Sequence, residues 1–295
     1  MRKIRKDEIW AYVFIMVPLC TFTIFTLYPV VSAAVTSFQE YKPMGSTWVG
    51  LENFKNTLTN DLFYKALKNT FVYSIVTVPL SMFLSFSISI MILPFKKRIQ
   101  SLFKACYYLP SIASGVALSF VWKWIYDPLP SGLLNSVLRV FGIENQNWLG
   151  SGKTAMASLI IMAVFAGLGQ NIIIYIAALA GISAELHEAA IIDGANKLQR
   201  IWHIDIPGIL PTITILLIMK SGSIMSVGFE KVFLMQTSLN LKRSQVISTY
   251  VYQVGLVDAD FSFSAAVGFF NSIVNFIMIM FVNFISGRVS ETSLW

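Results

Sequence analysis

Residues 154–180 read TAMASLIIMAVFAGLGQNIIIYIAALA, and no acidic or basic side chain interrupts them. As a helix rising about 1.5 Å per residue, such a run is long enough to cross a hydrocarbon layer roughly 30 Å thick. Its apolar character is continuous and does not alternate, which points to a helix and away from a barrel strand. Five further runs of this kind lie at about 9–35, 69–93, 102–125, 209–229 and 261–285 of the 295-residue chain. Composition agrees with them. AVILMFWYC residues make up 56% and charged residues only 13%, against about 25% charge in soluble domains. Mean hydropathy is +0.67. A chain with so little charge cannot coat a water-facing globule. The sequence therefore predicts an all-α polytopic membrane protein with six transmembrane helices, and neither an internal repeat nor a low-complexity tract.

The remaining totals are read in that light. The net charge of +7 is carried by short basic clusters between apolar runs, so membrane-flanking charge is expected and not nucleic-acid binding. Cys20 and Cys106 lie in apolar stretches and are expected as free thiols. Two histidines without ligands at metal-site spacing argue against a structural metal. Arg2-Lys3-Ile4-Arg5-Lys6 resembles the basic head of a signal peptide, but the run behind it exceeds the usual 7–15 residues. It is expected as a retained first helix. Eleven of the 22 basic residues fall inside if both termini are cytoplasmic, so the raw count decides nothing. The inner ones, however, are packed into short loops beside helix ends, at Lys96-Lys97-Arg98 above all, where the positive-inside bias acts. Residues 1–8 and 287–295 are accordingly expected inside, with 9–286 forming the membrane domain. All seven tryptophans fall at expected span ends or in loops, where indole is at home.

Between the fourth and fifth runs, residues 182–207 read ISAELHEAAIIDGANKLQRIWHIDIP. The pattern suggests a short helix, a break and a second short helix. Ser183 is placed to cap the first, and Glu185 sits in the first turn, where the helix dipole favours a carboxylate. Asp193-Gly194 supplies the turn, because glycine reaches backbone conformations closed to other residues. Pro207 marks the beginning of span five. Ala189 and Ala190 leave one face slim enough for another protein's backbone, and Glu188 offers a charge beside them. On chemistry alone, an amphipathic helix resting on the membrane surface fits equally well.

Glu188-Ala189-Ala190, then Gly194, then Ile204-x-Ile206-Pro207 resembles the EAA loop of binding-protein-dependent ABC transporter permeases, with Ile206 in place of the usual leucine. Tyr28-Pro29, Leu51-Glu52-Asn53-Phe54, Leu109-Pro110 and Phe229-Glu230-Lys231-Val232 resemble the carbohydrate branch with its maltose-type permeases. The stretch from Val246 to Tyr252 and the ending Thr292-Ser293-Leu294-Trp295 resemble its LplB-type polysaccharide permeases. The resemblance implies a type I ABC importer permease fold in a bacterial cytoplasmic membrane. It makes 182–207 a cytoplasmic coupling loop in which Glu188, Ala189, Ala190, Asp193, Gly194 and Pro207 meet a separate ATPase. The implied assembly has a second permease chain, two ABC ATPase subunits, an extracytoplasmic solute-binding protein and an oligosaccharide substrate. This chain has no Gly-x-x-x-x-Gly-Lys-Ser/Thr phosphate loop, so ATP and Mg are expected on the partner ATPase and no cofactor here.

Small or polar groups facing inward would line the path. Gly167, Gln170 and Asn171 lie nearly on one stripe of span four, and Ser221, Met225 and Gly228 on one stripe of span five. In maltose-type permeases the sugar binds at positions that align with Gly167, Gln170, Ser221, Met225 and Gly228. Helix packing selects the same small residues. Asn271 in span six, with Asn275, carries the same two readings. Lys220, eleven residues into span five, is expected near mid-bilayer, where a cation costs about 2.5–3.5 kcal/mol unless it faces water or a partner. It reads as a buried pair, as the sign of a span boundary misplaced by several residues, or as a group that holds an acidic sugar. A channel or scaffold subunit is the rival function. A membrane-embedded enzyme is less favoured, because His187 and His203 share the inner loop and no catalytic set accompanies them.

Overall fold

A computed structural model describes residues 6–42 and 44–289. The basic segment before Lys6 and the ending Thr292–Trp295 lie outside the described residues. Apolar runs become helices here because in a bilayer only a helix pairs every backbone N–H and C=O within one segment. Lys6–Phe22, a π turn at Thr23–Leu27 and Tyr28–Ser37 follow without a break as helix α1. A two-residue antiparallel ladder, β1 (Gln39–Glu40) on β2 (Thr47–Trp48), sets Gln39 opposite Trp48 and is the one departure from an all-α chain among the described residues. Then come α2 (Glu52–Thr59), α3 (Asp61–Ile92), α4 (Lys97–Ile112), α5 (Gly115–Ile125), α6 (Leu133–Val140) and α7 (Ala155–Ala180). A short α8 (Ala184–Ile192) precedes α9, which joins Lys197–Arg200, a π turn at Ile201–Asp205 and Ile206–Ser221. Last are α10 (Phe229–Met235), α11 (Leu241–Ser244), α12 (Ile247–Tyr252) with a π turn at Gln253–Val257, and α13 (Phe261–Val289). α1, α3, α7, α9 and α13 are each long and apolar enough to cross a membrane, and α4 with α5 is a bent pair that makes a sixth if counted as one span.

Two of the expected spans differ from what is found. The run 102–125 is not one straight helix, because α4 and α5 meet at 104°. Ala113 and Ser114 are extended at the bend, and the Ser114 hydroxyl accepts the Ala117 N–H at 3.2 Å to cap α5. Hydropathy cannot register a bend between two apolar arms. The run 209–229 is displaced: α9 begins at Lys197 and stops at Ser221, and residues 222–228 are irregular. Pro207 therefore lies within a continuous helix and does not open one. A proline lacks an N–H and presses on the carbonyl four residues back. Here Ile206 N–H bonds to Ile201 O across a π turn immediately before the proline, and the helix continues through it. α1 uses the same device before Pro29, with Tyr28 N–H bonded to Thr23 O.

The chain divides into two compact units. One comprises the residues up to Asp61 with Val251–Ser272, and the other comprises Leu62–Tyr250 with the chain from Ile273. In the first, the apolar stretch of α1 buries nothing. Its far end is tied down by Asn53, whose amide donates to Ser37 O at 3.0 Å and Gln39 O at 2.9 Å. Phe38 stacks on Trp48 at 5.7 Å and meets Phe54 and Phe269 edgewise or tilted. Cys20 is a free, exposed thiol.

The second unit is built around α7, whose Leu159, Met162 and Ile172 are fully buried. Polar groups cross its helix contacts: the Ser85 and Ser89 hydroxyls of α3 donate to Leu168 O and Ile172 O of α7, both at 3.3 Å. Trp122 does not sit at an interface as expected. It is buried against Tyr126 and Phe165, and the Tyr126 hydroxyl donates to Ser158 O at 2.8 Å. Burial pushes the Tyr126 phenol well above its ordinary pKa. Cys106 is free and exposed.

α4 crosses α7 so closely at Gly169 that a Cβ there would strike Tyr107 O and Tyr108 Cα, whereas a Cβ at Gly167 meets nothing within 4 Å. Gly169→Ala is therefore expected to destabilise the purified assembly by about 1–3 kcal/mol. Gly167→Ala should leave its thermal unfolding unchanged. Equal melting temperatures for both variants would contradict the crossing.

Candidate functional site

The loop between α7 and α9 folds as its residues direct. The Ser183 hydroxyl accepts the Glu185 N–H at 3.2 Å and starts α8. Gly194 adopts φ +76°, and Gly194 N–H and Ala195 N–H bond back to Ile191 O and Ala190 O, closing α8. Asn196 and Gln199 then form a reciprocal capping box that starts α9. α8 buries none of its residues. Leu186 is 55% and Ile192 85% exposed, Glu188 and Ala189 lie open to solvent, and Ala190 is half-buried. Between α8 and α9 opens a recess of about 350 Å³, lined by Ala190, Asp193, Gly194, Gln199, Arg200 and His203 among others. The Arg200 Nε faces no hydrogen-bond partner although it is buried. On the opposite side, His187 Nε2 stands 3.4 Å from an oxygen of Asp205, a buried carboxylate in the π turn of α9. Ile182 fills the notch left by Gly208.

Of the candidate path residues, Gly167 is half-buried beside open space, and Gln170, one turn on, is exposed. Asn171 is buried, with its Nδ2 unpartnered. Ser221, Met225 and Gly228 do not form a helical stripe, because α9 ends at Ser221. Ser221 is buried and donates to Ile218 O at 2.7 Å. Met225 is buried, and its N–H donates to Asn275 Oδ1 at 2.9 Å, while Asn275 Nδ2 donates to Ser226 Oγ at 3.2 Å. Gly228 is exposed, with open space where a side chain would go. Asn271 lies on α13, its Oδ1 buried without a partner.

Lys220 is not eleven residues into its helix. It stands in the last turn of α9, about 35 Å from Lys197 at 1.5 Å per residue. It is half-buried, no ion pair engages it among the described residues, and Lys231 is near enough for its charge to act on it. Glu230, exposed, lies against Gly115 at the N-terminus of α5, where no side chain could stand between them. That is the helix end that favours a carboxylate.

Gly150-Ser151-Gly152-Lys153-Thr154 shares its last three residues with a phosphate loop, but Asn147 stands where the first glycine belongs. Its polar groups are spent locally. Gly150 N–H donates to Asn147 Oδ1 at 2.7 Å, and the Thr154 hydroxyl donates to Trp148 O at 2.8 Å. The loop is a turn before α7.

Residues 8–291 match the family described as binding-protein-dependent transport system inner membrane component. The polygalacturonan/rhamnogalacturonan transport system permease protein YteP of Bacillus subtilis (strain 168) is 33% identical over 96% of this chain and 90% of its own. Protein LplB of the same organism is 29% identical over 100% of this chain and 93% of its own. A crystal structure of a bacterial alginate ABC transporter, in complex with alginate pentasaccharide-bound periplasmic protein, superimposes with a TM-score of 0.89. It is 27% identical and covers 98% of both chains. The chain belongs to this family of multi-pass transport permeases, whose members are transport components and not enzymes.

Asn275 is the fastening that the sequence left ambiguous. Asn275→Leu strands the buried Met225 N–H and is expected to cost about 1–3 kcal/mol of stability. Asn275→Asp keeps an acceptor and should cost less. Thermal unfolding of the purified assembly separates the two, and equal losses would contradict the assignment.

Proposed function

We propose that this permease forms half of the translocation pathway of an ATP-driven importer of acidic oligosaccharides. On this reading α8 docks on a separate ATPase. The observation that carries it is that α8 turns Leu186, Glu188, Ala189 and Ile192 outward and buries nothing. A helix so exposed and so firmly capped at both ends suits a partner's groove, which its slim Ala189–Ala190 face admits. Glu188 supplies a charge for a basic side chain on that partner. A scaffold or channel subunit leaves this helix without a role. Orientation follows from docking: α8, both termini and the Lys96–Arg98 cluster lie on the cytoplasmic side, as the positive-inside bias favours.

The assembly comprises this chain, a second and different permease chain, two ATPase subunits that bind ATP and Mg, and an extracytoplasmic solute-binding protein. ATP-driven closure of the ATPases pushes α8, and the membrane helices rearrange between outward- and inward-open states. Gly167, Gln170 and Gly228, exposed or beside open space, line the path. Asn171, Ser221 and Met225, which are buried, shape its wall from behind, and Asn271 of the other unit is a further candidate contact. The acidic character of the substrate is supported from two directions. Polygalacturonan and alginate, named for the relatives, carry carboxylates, and Lys220 and Lys231 lie near one another with no acidic ion partner among the described residues.

Two experiments on the reconstituted transporter test the reading. Gly194→Trp, which forces a bulky residue into left-handed backbone at the docking turn, should abolish substrate-stimulated ATPase activity. Intact stimulation would refute the docking role. Lys220→Met should reduce uptake of oligogalacturonate at least several-fold more than uptake of a neutral oligosaccharide, since a charge-assisted hydrogen bond contributes about 1.5–3 kcal/mol. Equal losses would reject the recognition of charge.

A further inference from the structure

We infer that the contact between His187 and Asp205 is a strut that makes α8 and the start of α9 a single rigid body. Force received by α8 then passes into the membrane-crossing helix without being lost in bending. This rests on the reading of α8 as the helix that docks on the ATPase.

The inference begins with what does not hold α8. A helix that buries none of its nine residues has no apolar face pressed into a core, so packing cannot fix its orientation. Two attachments hold its ends. Before it, Ile182 sits in the notch of Gly208; after it, the left-handed turn at Gly194 leads into the capping box of α9. Two end attachments define an axis and leave rotation about that axis free. A third attachment away from the axis is needed to remove the rotation, and His187 supplies it from the first half of α8.

The partner is chosen by chemistry. Asp205 is only 8% exposed, and a carboxylate so enclosed is costly without a positive or hydrogen-bonding neighbour. His187 Nε2 is 3.4 Å from Asp205 Oδ1, and Arg200 lies near enough for its charge to act on the same group. The imidazole has few rotatable bonds, so little movement is left in the connection. The landing point matters as well. Asp205 ends the π turn that carries α9 past Pro207, where the hydrogen-bond ladder is widened and the helix bends most easily. Bracing that turn from α8 removes the bending it would otherwise allow. His187 and Asp205 are thus positioning residues, distinct from the outward-facing Glu188 and Ala189.

The test uses the complete transporter in proteoliposomes, with nitroxide labels at the exposed positions 184 and 202 on α8 and α9. In the nucleotide-free state the wild-type distance distribution should be narrow. His187→Ala should broaden it and lower oligosaccharide transported per ATP hydrolysed by about tenfold. The exchanged pair His187→Asp/Asp205→His, or the single His187→Lys, should narrow it again and recover coupling. An unchanged distribution in His187→Ala overturns the strut, as does failure of both rescuing variants in assemblies that melt like wild type. Gly194→Trp separates the two levels of the argument. If it uncouples while His187→Ala does not, only the strut fails. If Gly194→Trp also leaves stimulation intact, the docking reading fails and the strut falls with it.

Discussion

Inside a bilayer no water is at hand to bond a freed N–H or C=O, and this constraint decides where the chain can stop being helical. Each interruption in the apolar elements is closed by a particular group. Ser114 caps the second arm of the bent crossing, and Asn275 receives the Met225 N–H where the chain beyond α9 becomes irregular. Prolines that would otherwise end α1 and α9 are carried through by π turns. The irregular places are therefore few and fastened. They also coincide with the features of interest, since the bend, the segment 222–228 and the turn at Asp205 lie beside Glu230, Lys220 and α8.

The same constraint explains how polar residues divide between fastening and function. Buried serines of α3 donate to carbonyls of α7, and Asn135 satisfies its whole amide group with Asp127 O, Gln146 O, Gln146 N–H and the Trp148 indole. Asn240 does the same between Leu149 O, Met235 O, Thr237 N–H and Ser244. Such groups are spent. The Nδ2 of Asn171, the Oδ1 of Asn271 and the Nε of Arg200 are buried with their bonding capacity unused. Lys220 and Lys231 are near one another without an acidic partner among the described residues. Unspent polarity of this kind is costly to keep in an apolar protein.

Much of this was legible in the sequence. Continuous apolar runs located the five long apolar helices, one of them with displaced bounds, and the bent pair, and the spacing from Glu188 to Pro207 located α8 and its turn, because those features depend on local composition and on single residues such as Gly194. What escaped depended on tertiary geometry. Nothing in the run 102–125 records that its halves meet at a right-angled bend, although Ala113-Ser114-Gly115 supplies an extended pair and a capping hydroxyl. Pro207 reads as a beginning because the π turn that accommodates it has no sequence signature of its own. Gly167 and Gly169 look alike in sequence, yet one faces open space and the other a crossing backbone. His187 and Asp205 are far enough apart along the chain that only the fold brings them together.

The displacement of Lys220 changes what its charge needs. In mid-helix a cation would require a counter-charge, since the surrounding carbonyls are all engaged in the ladder. In the last turn of α9 it lies at the negative end of the helix dipole, which favours a cation without any carboxylate. Half-burial is thus tolerable there, and the burden shifts to the repulsion between Lys220 and Lys231. Two like charges held near one another beside an apolar core favour whatever brings negative charge between them. Glu230 is adjacent in sequence but is turned to the N-terminus of α5, so it does not neutralise the pair. In the proposed importer, the carboxylate of an acidic sugar relieves this repulsion at the end of a membrane helix.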